Sequence, residues 1–322
     1  MVKVVLLFCL GLVFLIKGGD WFVDGATGIA HRFHLSELLI GATVVSIGTT
    51  LPEVMVSATS AVSGHGEIAY GNAIGSIICN TALIAAITVA VRPGKIDRKT
   101  LGLPVGFFFV VAVLYAVVSY AFGYFSRYIG IALLLIFVAY MICTVKSMKK
   151  APADCEVEIT EDSKKNSVVK DIVLLIIGAA LIAVGANLLV NNGTKIAEAL
   201  GVPESVIALT FIALGTSLPE LVTAITALAK GHGALSLGNV IGANLFNLVL
   251  VCGVSATLSP FSIPQNSMVG GLNSSLVLEI PLMLVVMGLL TLPALIRGKL
   301  YRAQGIVLLV LYAAFCVVQF TI

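Results

Sequence analysis

Charge is scarce in this chain. Only 11% of its 322 residues are Asp, Glu, Lys or Arg, whereas charged residues make up about 25% of soluble domains. Hydrophobic residues account for 59%, and the net charge of +3 is dispersed along the chain, so no surface for nucleic acid is indicated. This composition indicates an integral membrane protein.

The chain also has few of the residues that form metal centres and catalytic sites. Its six cysteines are scattered and form no CxxC pair, which argues against a disulfide framework or a zinc site. No HExxH motif is present, and Ser217 has no His or Lys base in its own apolar segment. The sequence therefore does not favour an intramembrane enzyme, and no cofactor is expected.

Long apolar runs dominate the sequence. A transmembrane helix needs about 20 mostly apolar residues. We count ten candidate spans, at approximately 4–17, 36–62, 68–91, 101–125, 128–145, 171–190, 204–229, 234–258, 274–296 and 303–321. The first run follows Lys3 but precedes no small-residue cleavage site, so we interpret it as a mature helix and not a signal peptide. The sequence predicts an all-α integral membrane protein with ten transmembrane helices.

The second half of the chain repeats the first at an offset of 167 residues. GTTLPE, which ends at Glu53, aligns with GTSLPE, which ends at Glu220. GNAIGSIICN, which ends at Asn80, aligns with GNVIGANLFN, which ends at Asn247, and no gap is needed between the two motifs. The chain is therefore predicted to consist of two related halves.

The predicted organisation is a first five-helix repeat over 1–148, a linker over 149–170 and a second repeat over 171–322. Because five is odd, the second repeat enters the membrane from the opposite side, which is the inverted repeat of many secondary transporters. With the N-terminus outside, nearly all Lys and Arg fall in cytoplasmic loops, as the positive-inside rule requires. The exceptions are Lys3, Arg127 and Lys195. We expect a plasma or inner membrane protein with both termini outside and the linker in the cytoplasm.

Each copy of the repeated motif places a proline beside a glutamate inside an apolar span. Pro52 and Pro219 have no N–H, so the carbonyls of Gly48 and Gly215 are expected to lose their helical partners. Broken backbone at membrane depth is tolerated only where it is buried in protein or lines water. The freed carbonyls are predicted to face an ion site.

Hydroxyl, amide and carboxylate side chains recur around these glutamates at helical spacing. The predicted ligands are Thr49, Thr50, Glu53, Ser76, Asn80, Thr216, Ser217, Glu220 and Asn247. Six to eight oxygens, with two carboxylates among them, are the ligands that Ca²⁺ prefers. The near absence of nitrogen and sulfur ligands disfavours zinc and copper. The sequence predicts an all-oxygen cation site within the membrane.

The paired motifs resemble the two α-repeats of the Ca²⁺/cation antiporter superfamily, and most closely those of the prokaryotic Na⁺/Ca²⁺ exchangers. The resemblance covers nearly the whole chain. It implies four ion sites at mid-membrane, exchange of one Ca²⁺ for about three Na⁺, and alternating access by sliding of the first and sixth helices. It also implies that Glu53 and Glu220 are the central carboxylates and that the backbone carbonyls of Ser46 and Ala213 are ligands.

Two positions depart from the family pattern. Asn247 stands where many exchangers have Asp, so the cavity holds at most two negative charges. Ala243 stands where the symmetry-related Ser76 has a hydroxyl, and Ser46, opposite Ala213, is expected to supply a replacement oxygen. Two glutamates still neutralise one Ca²⁺, so the departures affect the number of Na⁺ ions more than Ca²⁺ binding.

The expected function is electrogenic exchange of Ca²⁺ for Na⁺ across the lipid bilayer, by a monomer. An H⁺/Ca²⁺ antiporter, in which Glu53 and Glu220 take up protons, is the close alternative. A cation channel that uses the same ligands is a third possibility. A flux above about 10⁵ per second would indicate the channel, because conformational cycling takes microseconds to milliseconds.

Further polar residues are expected at span ends and not in the site. Glu279 lies near the start of its span and is predicted to be interfacial. His65 and His232 are flanked by glycines and are predicted to be turn residues. Asp20 and Asp24 are expected to face the cytoplasmic interface.

Overall fold

The computed structural model describes residues 1–150, 168–200, 215–265, 268–269 and 271–321. Most of the predicted linker over 149–170 lies outside these residues, as does Ala213. The described residues form ten helices and four short strands. The helices are α1 (Val2–Arg32), α2 (Glu37–Val62), α3 (Gly66–Val91), α4 (Arg98–Ala121), α5 (Arg127–Lys150), α6 (Val168–Ala199), α7 (Leu218–Lys230), α8 (Gly233–Leu258), α9 (Ser275–Arg297) and α10 (Arg302–Thr321). The strands are β1 (Tyr124–Phe125), β2 (Phe261–Ser262), β3 (Met268–Val269) and β4 (Leu272–Asn273).

Nine of the described helices are long and apolar enough to cross a membrane. The remaining one, α7, begins at Leu218, shortly after the undescribed residues 201–214. The ten-span architecture predicted from the apolar runs is therefore confirmed, and the seventh span is described only in its second part.

Helix α1 is much longer than the sequence predicted. It continues to Arg32, whereas the predicted span ended at residue 17. The prediction was wrong because the following glycines and charges are poor intrinsic signals for an apolar helix. In the fold, Gly18 packs against α6 and Gly19 against α7, and such close helix contacts favour glycine in membranes.

Helices α1 and α6 pack with their backbones in direct contact. A Cβ atom at Gly18 would lie 2.9 Å from the Gly178 carbonyl oxygen, and one at Gly25 would lie 2.6 Å from the Asp171 carbonyl oxygen. At the end of this interface, Arg32 donates a hydrogen bond from Nη2 to Asp171 Oδ2 at 3.1 Å. Close packing along the interface and a partly buried ion pair at its end therefore join α1 and α6.

The two repeats have matching elements at the centre of the bundle. Helices α3 and α8 start and end 167 residues apart, and each contains a π-helical turn, at Asn80–Ala85 and Asn247–Val251. Helix α2 contains another at Gly41–Val45. π-helical turns are rare and occur mostly at functional sites. The matching turns indicate that the centre of the bundle is the functional part of the molecule.

The short strands lie in the loops of one end of the bundle. Strand β1 pairs antiparallel with β2, and β3 pairs antiparallel with β4 just before α9. The rings of Phe125 and Phe261 stack with centroids 5.3 Å apart. The β1–β2 pair therefore links the loop after α4 to the loop after α8.

The polar residues predicted at span ends have defined partners. Lys230 Nζ lies 2.7 Å from Asp24 Oδ1 and 3.4 Å from Asp20 Oδ1, so the end of α7 is paired with α1. His232, in the turn between α7 and α8, contacts Glu37 Oε1 through Nδ1 at 2.8 Å. Glu279 forms no ion pair in the described residues. Its carboxylate accepts a hydrogen bond of 2.9 Å from the Ser275 hydroxyl.

Candidate ion-binding site

The two glutamates of the repeated motif come together at the centre of the bundle. Glu53 lies in the middle of α2, and Glu220 lies in the first turn of α7. Both side chains are completely buried, and the two carboxylates are near enough to interact electrostatically. Buried like charges this close require a cation or a proton to be stable.

Four of the other predicted ligands are, like the two glutamates, buried without hydrogen-bond partners. Among the predicted ligands, eight side-chain oxygens are buried without a hydrogen-bond partner in the described part of the chain. They belong to Thr50, Glu53, Asn80, Ser217, Glu220 and Asn247. Ser76 is also buried, and Thr216 is partly buried. Buried oxygens without partners cost about 1–3 kcal/mol each, so such a cluster indicates a site for a ligand that protein groups do not supply.

The chemistry of this cluster fits a hard cation. All eight atoms are carboxylate, hydroxyl or amide oxygens. Ca²⁺ takes six to eight oxygen ligands, and Na⁺ likewise binds oxygen. The described residues contain no group of three or more His, Cys, Asp and Glu, so the two carboxylates would hold an ion together with hydroxyl and amide oxygens. The two glutamates with Thr50, Asn80, Ser217 and Asn247 are the candidate ion site, and the roles of the predicted ligands stay a prediction.

The structure adds two asparagines that the sequence analysis missed. Thr49 Oγ1 donates to Asn239 Oδ1 at 3.1 Å, and Thr216 Oγ1 donates to Asn72 Oδ1 at 3.2 Å. Each bond joins one repeat to the other, and the two bonds are related by the offset of 167. Both asparagines belong to the GN dipeptides that align between the two repeats. Their recurrence at the offset of 167 could therefore have indicated a role in the site. They hold the threonine hydroxyls in place, and these hydroxyls keep lone pairs for an ion.

Ser46 is held by helix α8. Its Oγ lies 2.7 Å from the Gly41 carbonyl oxygen and 2.9 Å from the Asn239 carbonyl oxygen, and the side chain is completely buried. A Cβ atom at Gly242 would lie 2.3 Å from this Oγ. The hydroxyl therefore already has backbone partners, and its use as a replacement for the oxygen missing at Ala243 stays a prediction.

The two prolines of the motif have different surroundings. Helix α2 continues through Pro52, so the Gly48 carbonyl faces a residue that cannot donate. Pro219 stands in the first turn of α7, and the Gly215 carbonyl accepts a long hydrogen bond of 3.4 Å from Leu218 N. The prediction of a free carbonyl at Gly215 was therefore wrong, because the first turn of a helix closes with i to i+3 bonds.

Because of this difference, we expect substitution of the two prolines to change Ca²⁺ affinity by different amounts. Pro52→Ala supplies an N–H to the Gly48 carbonyl and should lower the apparent Ca²⁺ affinity by a factor of about five or more, since a carbonyl near the site becomes occupied. Pro219→Ala adds an N–H where helices have unpaired donors and should change the affinity less. Ca²⁺ dependence of ⁴⁵Ca²⁺ uptake in liposomes measures both. Equal affinities for the two variants and the unmodified protein would show that the prolines only bend the chain.

Helices α1 and α6 cover one side of the glutamate site. Phe22 of α1 packs on Gly48, where a Cβ atom would lie 3.0 Å from the ring. Ile182 of α6 joins Phe22, Thr49 and Pro52 around a crevice that has no room for a water molecule. This side of the site is therefore closed by the α1–α6 pair.

A bundle of apolar helices with matching halves and buried oxygens at its centre defines a membrane transporter of cations. The family model of the sodium/calcium exchanger protein matches this chain twice, over residues 3–146 and 170–321. The chain belongs to this family, which consists of cation exchangers and not enzymes. The predicted resemblance, the two repeats and the class of activity are confirmed.

Individual relatives are similar to this chain over nearly their full length. The chain is 38% identical to the uncharacterized membrane protein MJ0091 of Methanocaldococcus jannaschii, covering 95% of this chain and 94% of that protein. It is 32% identical to the sodium/calcium exchanger MaX1 of Methanosarcina acetivorans, covering 98% of each. A solved structure of the sodium-calcium exchanger NCX_Mj matches with a TM-score of 0.82 and 34% identity over 97% of each chain.

Proposed function

We propose that this protein exchanges Ca²⁺ for Na⁺, with about three Na⁺ moved per Ca²⁺, by alternating access. The observation that carries the proposal is the cluster of eight buried oxygens without partners around Glu53 and Glu220. Two carboxylates neutralise one Ca²⁺, and the remaining hydroxyl and amide oxygens provide neutral positions for Na⁺. Three Na⁺ carry one more charge than one Ca²⁺, so the exchange is electrogenic.

The printed names of the relatives support sodium as the counter-ion. MaX1 and NCX_Mj are both described as sodium/calcium exchangers. The packing supports the mechanism of movement, because the ion pair and backbone contacts join α1 and α6 into a unit that slides over the site. The protein works in the plasma or inner membrane, with the termini outside and the linker in the cytoplasm.

An H⁺/Ca²⁺ antiporter is the second candidate. It is favoured by one observation, namely that both buried glutamates lack a cationic partner in the described residues and are able to carry protons. ⁴⁵Ca²⁺ uptake into proteoliposomes, driven separately by a Na⁺ gradient and by a pH gradient, distinguishes the two. We expect uptake with the Na⁺ gradient alone. Uptake only with the pH gradient would replace the proposal by proton exchange.

The residue Ala243 provides a test of the sodium sites. Ala243→Ser restores the hydroxyl that Ser76 has in the other repeat, so apparent Na⁺ affinity should rise about five-fold or more, or more Na⁺ should move per Ca²⁺. Ser46→Ala should have the reverse effect if its hydroxyl compensates for Ala243. The reversal potential of Ca²⁺ flux at fixed gradients, with the Na⁺ activation curve, measures both quantities.

The matched control is Ala256→Ser, a buried alanine further along the same helix. It should leave both quantities unchanged. Identical reversal potentials and Na⁺ half-saturation in all variants would exclude Ala243 and Ser46 from a sodium site.

A further inference from the structure

A second cavity lies where α3 ends and α8 begins. It has a volume of about 220 Å³, compared with about 30 Å³ for one water molecule. Its walls include the loop after α3, with Arg92, Gly94 and Lys95, and the first turn of α8, with Gly233 and Ser236. The cavity is therefore large enough for a small polar group.

The wall formed by α8 offers unpaired donors. This helix begins at Gly233 without a side-chain cap, because the His232 ring contacts Glu37 instead. In the described residues, the N–H groups of Gly233 and Ala234 have no hydrogen-bond partner. The start of a long helix also carries a partial positive charge, which attracts anions.

A buried hydroxyl and two cations complete the wall. Ser236 is completely buried, and its Oγ has no hydrogen-bond partner within the described part of the chain. Lys95 lies opposite Lys299, because two backbone bonds of 2.9 Å join their loops. Arg92 donates one bond of 3.4 Å to the Leu228 carbonyl and keeps its other donors. No ion pair to a carboxylate is formed by Arg92 or Lys95 in the ranges that the structure covers.

The other repeat shows why this cavity exists. At an offset of 167, Gly94 corresponds to Phe261, and Lys95 corresponds to Ser262. Phe261 covers the start of α3 so tightly that a Cβ atom at Gly66 would lie 2.2 Å from the Phe261 Cβ. Gly94 has no side chain to cover the matching start of α8. One repeat therefore closes this position with an aromatic ring, and the other leaves an open basic cavity.

We propose that this cavity binds a phosphate group, supplied by an anionic lipid headgroup or by soluble phosphate. A helix N-terminus, a guanidinium, an ammonium and a hydroxyl are the donors that phosphate sites combine. The bound group bridges the end of α3 and the start of α8, two helices that carry Asn80 and Asn247 of the ion site. A ligand that binds only the folded protein raises its thermal stability.

The test titrates the purified protein, in neutral detergent and phosphate-free buffer, with dioctanoyl phosphatidylglycerol, dioctanoyl phosphatidylcholine and inorganic phosphate. The unfolding temperature is measured at increasing concentrations of each compound, and the concentration at half of the maximal shift is its midpoint. Phosphatidylglycerol or phosphate should raise the unfolding temperature, and the net-neutral phosphatidylcholine should not. A response to phosphatidylglycerol alone identifies a lipid as the source, and a response to phosphate as well identifies soluble phosphate as sufficient.

Variants locate the binding. Gly94→Phe copies the closed repeat, and the double variant Arg92→Gln with Lys95→Gln removes the charges, so each should weaken binding about ten-fold or more. Lys99→Gln removes an exposed charge at the same end that does not line the cavity, and it should bind like the unmodified protein. Retained ⁴⁵Ca²⁺ exchange shows that each variant is folded.

If Gly94→Phe does not fold, the double variant decides. The proposal is overturned if neither anion stabilises the protein, or if the double variant binds the anions with unchanged midpoint concentrations. It is also overturned if Lys99→Gln loses as much affinity for the anion as the double variant. The last result would indicate general attraction to a basic surface.

Discussion

Glu53→Gln and Glu220→Gln should each abolish Ca²⁺ exchange. Both side chains are completely buried, and each substitution keeps the shape while it removes one of the two charges that balance a divalent ion. A buried charge that loses its partner costs about 3–5 kcal/mol, which corresponds to a loss of Ca²⁺ affinity of roughly 10²- to 10⁴-fold. ⁴⁵Ca²⁺ uptake in proteoliposomes under a Na⁺ gradient measures this loss.

The matched control is Glu279→Gln. This glutamate contacts Ser275 and Gln319 in α9 and α10 and lies outside the ion site, so exchange should persist. Near-normal Ca²⁺ uptake in either of the two site variants would contradict the proposed site. Loss of exchange in all three would indicate a general intolerance of the fold to loss of a carboxylate.

Gly178→Leu should have the second largest effect, on stability as well as on transport. A Cβ atom at this position would already lie 2.5 Å from the Phe22 backbone N, so a leucine forces α1 away from α6. Overpacking of this kind costs typically about 1–3 kcal/mol and occasionally more. We expect a lower unfolding temperature in detergent and greatly reduced exchange, because α1 also carries the ring that covers Gly48.

Gly106→Leu is the control for this substitution. Gly106 is exposed on α4, and a Cβ atom there meets no described atom within 4 Å. Leucine at this position should leave the unfolding temperature and the exchange rate unchanged. An unfolding temperature for Gly178→Leu equal to that of Gly106→Leu would show that the α1–α6 contact is not needed for folding.

Much of the architecture is present in the order of residues alone. Apolar runs of sufficient length specify membrane helices because the thickness of the bilayer sets their length. The offset of 167 residues specifies two halves, and the odd number of spans in each half specifies their inversion. Glu53 and Glu220 were predictable as candidate site residues because an intramembrane carboxylate is costly, and its recurrence in both halves needs a functional reason.

Tertiary structure alone decided the contacts between the halves. The bonds from Thr49 to Asn239 and from Thr216 to Asn72 join residues that are far apart in the chain, and helical periodicity contains no information about such pairs. The continuation of α1 to Arg32 depends on partners in α6 and α7, because glycine is a poor helix former that is favoured where another helix approaches the backbone closely. The basic cavity beside Gly94 likewise exists only because packing places that glycine over the start of α8, where the other repeat has a phenylalanine ring.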